Sequence, residues 1–209
     1  FIILRPALLG FPLFAAELLF IDRYRKNGEV RWLWLLVPLQ ILWANVHAFA
    51  IVGAALALAA AALLPKPRSR VQPACAAAAA GAATCLSSFG PGIFLGPWRV
   101  AGHSPFIAEW APASLGLFWH YDPLLGLLVL LVAWAMVQGG AKLYDIALVA
   151  ATFILMLVRF RLAPFFIIAA APIAAAGLWP RLKNQRRLPA AVLIAGLLAP
   201  AAVALRGEV

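Results

Sequence analysis

Residues 32–64 read WLWLLVPLQILWANVHAFAIVGAALALAAAALL, an apolar run with a polar island, WANVH, at 43–47. As one straight helix this run would extend about 50 Å, whereas the hydrocarbon core of a bilayer is about 30 Å thick. Basic segments flank the run, RYRK at 23–26 and PKPRSR at 65–70. Because basic loops collect on the cytoplasmic side of a membrane, an even number of crossings should separate them. The run therefore predicts a helical hairpin with its tip near WANVH.

The composition also predicts a membrane protein. Of 209 residues, 66% are hydrophobic and 11% are charged, and the mean hydropathy is +0.97. Soluble domains average about 45–50% apolar and about 25% charged residues. These figures argue against a soluble enzyme, a disordered tail and a secreted disulfide scaffold. The net charge of +10 is interpreted as basic residues in cytoplasmic loops, which orient the chain in the membrane, and no nucleic-acid partner is expected.

The same argument, applied along the chain, predicts an all-α, polytopic transmembrane helical bundle of about eight spans that forms a single domain over 1–209. Residues 90–122 are expected to form an outer loop with an interfacial helix at FIAEWAPA. The chain begins at Phe1 without a signal-peptide pattern, so we expect a fragment. The predicted crossings are 1–21, the two arms of 32–64, 74–88, 123–138, 146–158, 165–179 and 188–205.

Three further residues are assigned structural roles. Cys75 and Cys85 would lie about 15 Å apart along one helix, which is too far for a disulfide bond. Glu17 lies inside the first apolar run, and we expect it to pair with an arginine or with a neighbouring helix. The histidines and acidic residues have no metal-ligand spacing. We therefore predict no cofactor and no metal site, and nothing in the sequence indicates a divalent metal.

Basic side chains at the outer face are candidates for phosphate binding. Arg159 and Arg161 end an apolar helix just before Pro164, which disfavours helical backbone at Ala163. At an opened helix end both guanidinium groups could turn to one anion, and their planar forks suit phosphate. Arg5 lies near the outer end of the first predicted span. The alternative interpretation is that these arginines anchor helices at the interface.

Four other polar residues at the same face are candidates with structural alternatives. Asn45 and His47 could bind a ligand or satisfy backbone groups where the hairpin turns. Glu109, beside a tryptophan, could act as a base or hold an arginine, so it is a weak catalytic candidate. His120 lies in WHYDP, which resembles an ordinary helix start.

Several segments, taken in order, resemble multi-spanning bacterial membrane proteins related to the GT-C glycosyltransferases. Those proteins show WANLHGGF, LNPYG, IxEWxxP and an RxRxxPLF run that ends in AAP. The resemblance covers about residues 5–179, although the Gly-Gly of the first motif and the Asn-Pro-Tyr of the second are replaced. The matching segments here are RP (5–6), RYRKNG (23–28), LWANVHAF (42–49), LSSFG (86–90), FIAEWAP (106–112) and RFRLAPFFIIAAAP (159–172).

The resemblance implies an integral membrane glycosyltransferase in the bacterial cytoplasmic (inner) membrane. It would transfer a sugar from a polyprenyl-phosphate donor to an acceptor at the periplasmic face, with membrane lipids around it and its catalytic acid or base upstream of Phe1. Arginines would stabilise charge on the departing phosphate. The residues implied are Arg5, Arg159 and Arg161 for the phosphate, and Asn45, His47, Glu109 and His120 for the lining of the pocket.

Two other function classes use the same residues. A carrier or flippase of a lipid-linked anion would bind through the arginines without chemistry, but transporters commonly contain inverted repeats and this chain has no internal repeat. An O-antigen-ligase-like enzyme would join lipid-linked glycans, and the long outer loop 90–122 suits that class. The order of the motifs fits the GT-C-like set better. A purely structural membrane subunit is the remaining alternative.

Overall fold

The described part of the chain is a bundle of helices. The computed structural model describes residues 6–64, 71–96, 123–139 and 142–182, and every regular element in these ranges is helical. Short 3₁₀ helices occupy Gly90–Leu95 and Phe160–Leu162. The α-helices are α1 (Pro6–Asn27), α2 (Arg31–Trp34), α3 (Leu36–Val46), α4 (Ala50–Leu63), α5 (Val71–Ala83), α6 (Pro123–Gly139), α7 (Leu143–Val158) and α8 (Ala163–Leu182).

Helix α1 continues past the end of its apolar run. The charged segment after Ile21 stays helical because Asp22 pairs with the side chains one turn later, 2.9 Å from Arg25 and 2.6 Å from Lys26. Such pairs stabilise a helix surface. The helix stops at Gly28, whose φ of 70° suits glycine and whose N–H donates to Tyr24 O at 2.8 Å.

The turn predicted near WANVH in the run 32–64 is observed, although the two arms predicted as membrane spans are not long enough to cross a membrane. Helix α3 ends at Val46, and α4 begins at Ala50, so the turn lies at the end of the WANVH island. His47 has an extended backbone (φ −159°, ψ 140°), and its Nδ1 accepts a hydrogen bond from Phe49 N at 3.1 Å. This side-chain acceptor competes with the helical hydrogen-bond pattern and stops α3.

Aromatic rings join the helices at one end of the bundle. The ring centroids of Phe14 and Phe165 are 4.8 Å apart, and those of Trp43 and Phe165 are 6.3 Å apart. Phe49 also lies 5.5 Å from Phe165, so the hairpin turn and the start of α8 share this end. We call it the His47 end. These contacts bury large apolar area and are the main stabilising feature of the core.

The opposite end is held by charged groups. Arg25, in the last turn of α1, donates to Asp145, in the first turn of α7, at 2.6 Å. We call this the Arg25 end. Asp145 and Arg159 lie about 21 Å apart along α7, since a helix rises about 1.5 Å per residue. Arg159 therefore belongs to the His47 end.

The predicted transmembrane bundle of about eight spans is wrong. In the part of the chain that the structure describes, no helix combines the length and the apolar character that a membrane crossing requires. This finding also contradicts the wider prediction of a membrane protein with transmembrane helices. The prediction failed because hydropathy counts apolar residues and does not register where a helix begins or ends.

For five of the helices, length gives the physical reason. Five helices have between 11 and 17 residues, so they reach only about 17–26 Å of a core about 30 Å thick. The hairpin turn at His47 limits α3 and α4 at one end of each helix. Helix α1 is longer, with 22 residues, but its second half contains ionisable side chains. These are Glu17, Asp22, Arg23, Arg25 and Lys26.

Several sequence predictions lie outside the described residues. They include the crossing at 188–205, the interfacial helix at FIAEWAPA and most of the outer loop 90–122, of which only 90–96 is described. Three candidate site residues lie there as well: Arg5, Glu109 and His120. The backbone of Arg161 is described, but its side chain is not.

Candidate functional site

An apolar groove of about 440 Å³ runs between α4 and α7. Its lining comes from one face of α4, between Ile51 and Ala59, and one face of α7, between Tyr144 and Leu155. Alanines repeat four residues apart on both faces and leave the space open, since residues at this spacing share a helix face. They are Ala55 and Ala59 on α4, and Ala147 and Ala151 on α7.

The groove is almost without polar surface. The Thr152 hydroxyl donates to Leu148 O at 2.7 Å, within its own helix, so this side chain is satisfied by backbone. Tyr144 lies at the Arg25 end of the groove, buried, and its hydroxyl has no hydrogen-bond partner among the described residues. A groove of this volume is within the range of ligand sites, about 300–1,000 Å³. Its lining suits a hydrocarbon chain.

The chain leaves α7 beside the other end of the groove. Arg159 has an extended backbone (φ −148°, ψ 110°), while its N–H still donates to Leu155 O at 3.0 Å. The Arg159 side chain is half-buried, and its Nη1 lies 3.3 Å from Val158 O. Leu155 lines the groove. The backbone of Arg159 is therefore one helical turn from the apolar lining.

The opened helix end predicted at Ala163 lies elsewhere. Ala163 is helical (φ −50°, ψ −38°), and the break falls four residues earlier, at Arg159. Pro164 lies in the first turn of α8, where a missing N–H breaks no helical hydrogen bond. Arg159 and Arg161 are thus separated by backbone that leaves the α-helix and enters a 3₁₀ turn.

Asn45 and His47 both make local structural contacts at the His47 end. The Asn45 amide donates to Ile41 O at 2.8 Å and to Leu86 O at 2.9 Å, which ties α3 to the segment after α5. The His47 ring lies 4.3 Å from the ring of Phe49, centroid to centroid. The structure therefore brings His47 to the same end as Arg159, and it uses the amide of Asn45 to bind backbone.

A buried polar cluster on the far side of α4 was not found from the sequence. Glu17 and Gln40 are both 0% exposed, and Gln40 Nε2 donates to Glu17 Oε2 at 3.0 Å. Gly53 lies directly against both side chains and against Trp43, so that a Cβ at this position would overlap them. We call these four residues the Glu17 cluster. A polar Gln40 inside an apolar run was the signal that could have pointed to it.

Burial determines the ionisation of this cluster. It raises the pKa of Glu17 to about 8, because a charged carboxylate loses hydration that nothing nearby replaces. Of the two interpretations of Glu17, pairing with a neighbouring helix is the one observed. Three of its polar atoms have no hydrogen-bond partner among the described residues: Glu17 Oε1, Gln40 Oε1 and Trp43 Nε1.

The Arg25 end contains a second set of charged groups, and a cavity of about 310 Å³ opens beside it between α1, α7 and α8. Arg25 contacts Asp22 and Asp145, and Lys26 contacts Asp22. Partial burial acts to raise the pKa of Asp22, but hydrogen bonds and charge from Lys26 and Arg25 outweigh it, so the pKa is below its ordinary value. We call these four residues the ion-pair cluster.

No metal centre is formed by the residues that the structure describes. They contain no group of three or more His, Cys, Asp or Glu side chains that could hold a metal ion. Cys75 is exposed on α5, and Cys85 lies beyond the end of that helix, neither of them in a disulfide with a described residue.

No known protein family, curated protein or solved structure matches this chain. Its function has to be inferred from the groove and from the polar groups at the ends of the groove.

Proposed function

We propose that this chain binds a polyprenyl-phosphate-linked sugar and acts as a glycosyltransferase on it, at the periplasmic face of the bacterial inner membrane. The observation that carries the proposal is the apolar α4–α7 groove, one end of which lies a helical turn from Arg159. The donor has the same two parts, a long hydrocarbon chain and a phosphate. The proposal does not depend on any helix crossing the membrane.

A segment of the donor's hydrocarbon chain would lie along the groove. From Tyr144 to Leu155 the lining of α7 extends about 16 Å, which accommodates an extended segment of several isoprene units. Burial of apolar surface contributes about 25 cal/mol per Å², so even a partly covered chain adds several kcal/mol of binding free energy. The alanine-lined floor provides contact without polar groups that would have to lose water.

The phosphate part of the donor would lie at the His47 end. Arg159 offers a planar guanidinium group, and hydrogen bonds from a charged donor to phosphate are about twice as strong as neutral ones. Arg161 and Arg5 are further candidates for the same phosphate. His47 lies at this end and would border the head group.

The chemistry requires the sugar–phosphate bond to break as the acceptor hydroxyl attacks the sugar. A base removes the hydroxyl proton; the resemblance implies that this base lies upstream of Phe1, and Glu109 is the weak candidate within these 209 residues. The leaving phosphate gains negative charge, and a preorganised arginine stabilises the transition state by offsetting that charge. In this scheme Arg159 contributes more to kcat than to donor binding.

The test uses full-length protein and a polyprenyl phosphate that carries a photoreactive diazirine in its chain. We expect cross-links in α4 and α7. Ala55→Trp and Ala151→Trp fill the groove from exposed positions and should weaken cross-linking at least tenfold. Ala150→Trp is the matched control, since Ala150 is exposed on α7 but does not line the groove. Equal labelling of all three variants would contradict the groove as the lipid site.

Transfer is tested separately with a polyprenyl phosphate linked to a radiolabelled sugar. Arg159→Ala should lower the release of sugar from the lipid by about 100-fold, in line with the loss of one transition-state donor. Arg159→Lys restores the charge without the fork and should recover part of the rate. Tight binding with no release of sugar by the unmodified protein would favour a carrier over a transferase.

A further inference from the structure

The Glu17 cluster lies outside the groove site and contains buried polar atoms without hydrogen bonds. One hydrogen bond joins the two side chains, from Gln40 Nε2 to Glu17 Oε2 at 3.0 Å. The other oxygen of each side chain, Glu17 Oε1 and Gln40 Oε1, is buried without a donor. Two acceptors left over in one buried pair are unfavourable, since each lost its hydrogen bonds to water.

A single proton on Glu17 removes both defects. A carboxylic acid has one donor and one acceptor, as does the end of a primary amide, so the two groups can form a ring with two hydrogen bonds. The O–H of Glu17 then donates to Gln40 Oε1, while Gln40 Nε2 donates to the other carboxyl oxygen. We propose that Glu17 and Gln40 form a proton-binding site, a neutral acid–amide pair that fastens α1 to the α3–α4 hairpin and opens when the proton leaves to solvent.

The helices packed on this side of Glu17 offer no opposite charge. On α3 the neighbouring side chains are Gln40 and Trp43, which are neutral. Helix α4 has no ionisable residue between Ala50 and Leu63, and α8 has none among its described side chains. On α2, Arg31 is 73% exposed and pairs with Glu29.

The ionisable groups near Glu17 on α7, and further along α1, are either uncharged or already in an ion pair. On α7 the buried Tyr144 senses the carboxyl group, since burial first and the charge of Glu17 second raise the pKa of its phenol above the ordinary value. Asp145, next in the chain, is paired with Arg25. Further along α1, Asp22 is paired with the same arginine. Among the described neighbours, no unpaired cation is therefore placed to neutralise Glu17, and a proton can do so.

Gly53 is the residue through which loss of the proton would affect the position of α4. The α4 backbone lies against both polar side chains at this residue, and a Cβ would overlap them, so α4 covers this side of the pair. An ionised Glu17 would leave two buried oxygens, its own Oε1 and Gln40 Oε1, without a donor. Hydration of the carboxylate then requires α4 to move away from α1.

The direction of the pH dependence follows from linkage. The pKa of Glu17 is about 8 in the folded chain, against an ordinary value of 4.5. The folded state therefore binds the proton more tightly, and the stabilisation is present at acid pH, declines above about 4.5 and is lost as the pH rises through about 8.

The test follows thermal unfolding and hydrogen exchange of the full chain between about pH 6 and pH 9.5. We expect the Tm to fall as the pH rises, and amides 50–63 to exchange several-fold faster after correction for intrinsic rates. Glu17→Gln should abolish both responses, because an amide does not titrate in this range. Glu29→Gln, an exposed acid, is the matched control and should keep both. Tyr144→Phe should also keep them, which separates the carboxyl from the phenol.

A direct readout on the unmodified protein keeps the test decisive if Glu17→Gln does not fold. Infrared spectroscopy detects the carbonyl stretch of a protonated carboxylic acid, and we expect such a band near neutral pH that disappears with a midpoint near 8. Absence of the band at about pH 6 would overturn the proposal. Unchanged pH responses in a folded Glu17→Gln protein would do the same.

Discussion

The Glu17 cluster and the ion-pair cluster each contain one acid from helix α1, and the pKa values of these two acids depart from the ordinary carboxyl value in opposite directions. Glu17 and Asp22 are five residues apart on α1. Glu17 is fully buried against an amide, and its pKa rises to about 8. Asp22 is partly exposed between Arg25 and Lys26, and its pKa falls. Burial without a cation and burial beside two cations thus have opposite effects on the same chemical group.

The difference also separates two ways of joining helices. The Glu17 cluster joins α1, α3 and α4 by close packing around one hydrogen bond, where a small change of volume has a large effect. The ion-pair cluster joins α1 to α7 through side chains that remain in contact with water, where screening weakens each contact. We therefore expect mutations in the first cluster to be the more destabilising.

The largest effect is expected at Gly53. Gly53→Ala places a methyl group inside the contact with Gln40 and Glu17, which should lower the free energy of unfolding by about 2–4 kcal/mol through overpacking and a strained hydrogen bond. Gly81→Ala is the matched control, because nothing lies within 4 Å of a Cβ there. It should stabilise α5 by about 0.5–1 kcal/mol. Denaturant unfolding measures both changes. Equal changes in the free energy of unfolding would contradict the difference in packing between Gly53 and Gly81.

A smaller effect is expected when the amide is removed. Gln40→Leu has a similar volume but leaves the Glu17 carboxyl buried without a partner, which should cost about 1–3 kcal/mol. Gln138→Leu, at an exposed position on α6, should change stability by less than about 0.5 kcal/mol. Chemical denaturation near pH 6 compares the two. A neutral Gln40→Leu would show that the hydrogen bond contributes no net stability.

The smallest effect is expected in the ion-pair cluster. Asp22→Asn removes contacts to Arg25 and Lys26 that are partly exposed, so it should cost less than about 1 kcal/mol at neutral pH and less still in 1 M salt. Because the folded pKa of Asp22 is lowered, its contribution is present above the ordinary value of 3.8 and is lost as the pH falls through the folded pKa. The Asp22→Asn variant and the unmodified protein should therefore become equally stable at acid pH. At Glu17 the trend is the opposite, since its contribution is lost at alkaline pH. A constant difference from pH 7 to pH 2 would argue against this origin.

Local features of the sequence predicted part of the fold well. The polar island WANVH marked the hairpin turn, and the structure breaks the helix at His47. Pro164 marked a helix end, although the break lies at Arg159, because proline is tolerated in the first turn of α8. Hydropathy alone misled the prediction of membrane crossings, since it did not show that several helices are short.

The candidate site was harder to predict for a physical reason. Arg159 and His47 were singled out by residue type, and the structure places both at one end. The groove that begins near this end depends on small residues, which form a surface only when α4 and α7 are adjacent. Gln40, an amide inside an apolar run, is a signal in the sequence, but its partner Glu17 and the close approach of Gly53 are known only from the contact across helices.

Local chemistry was therefore enough to set the helical class, the hairpin and the turn at its tip, since glycine, proline and polar side chains act on backbone within a few residues. Only the packed bundle set the partner of Glu17, its pKa and the α4–α7 groove. These properties arise from contacts between residues far apart in the chain, where burial and exclusion of water decide the energy of a charge. Burial therefore raises the pKa of one acid, while two cations lower the pKa of another acid five residues along the same helix.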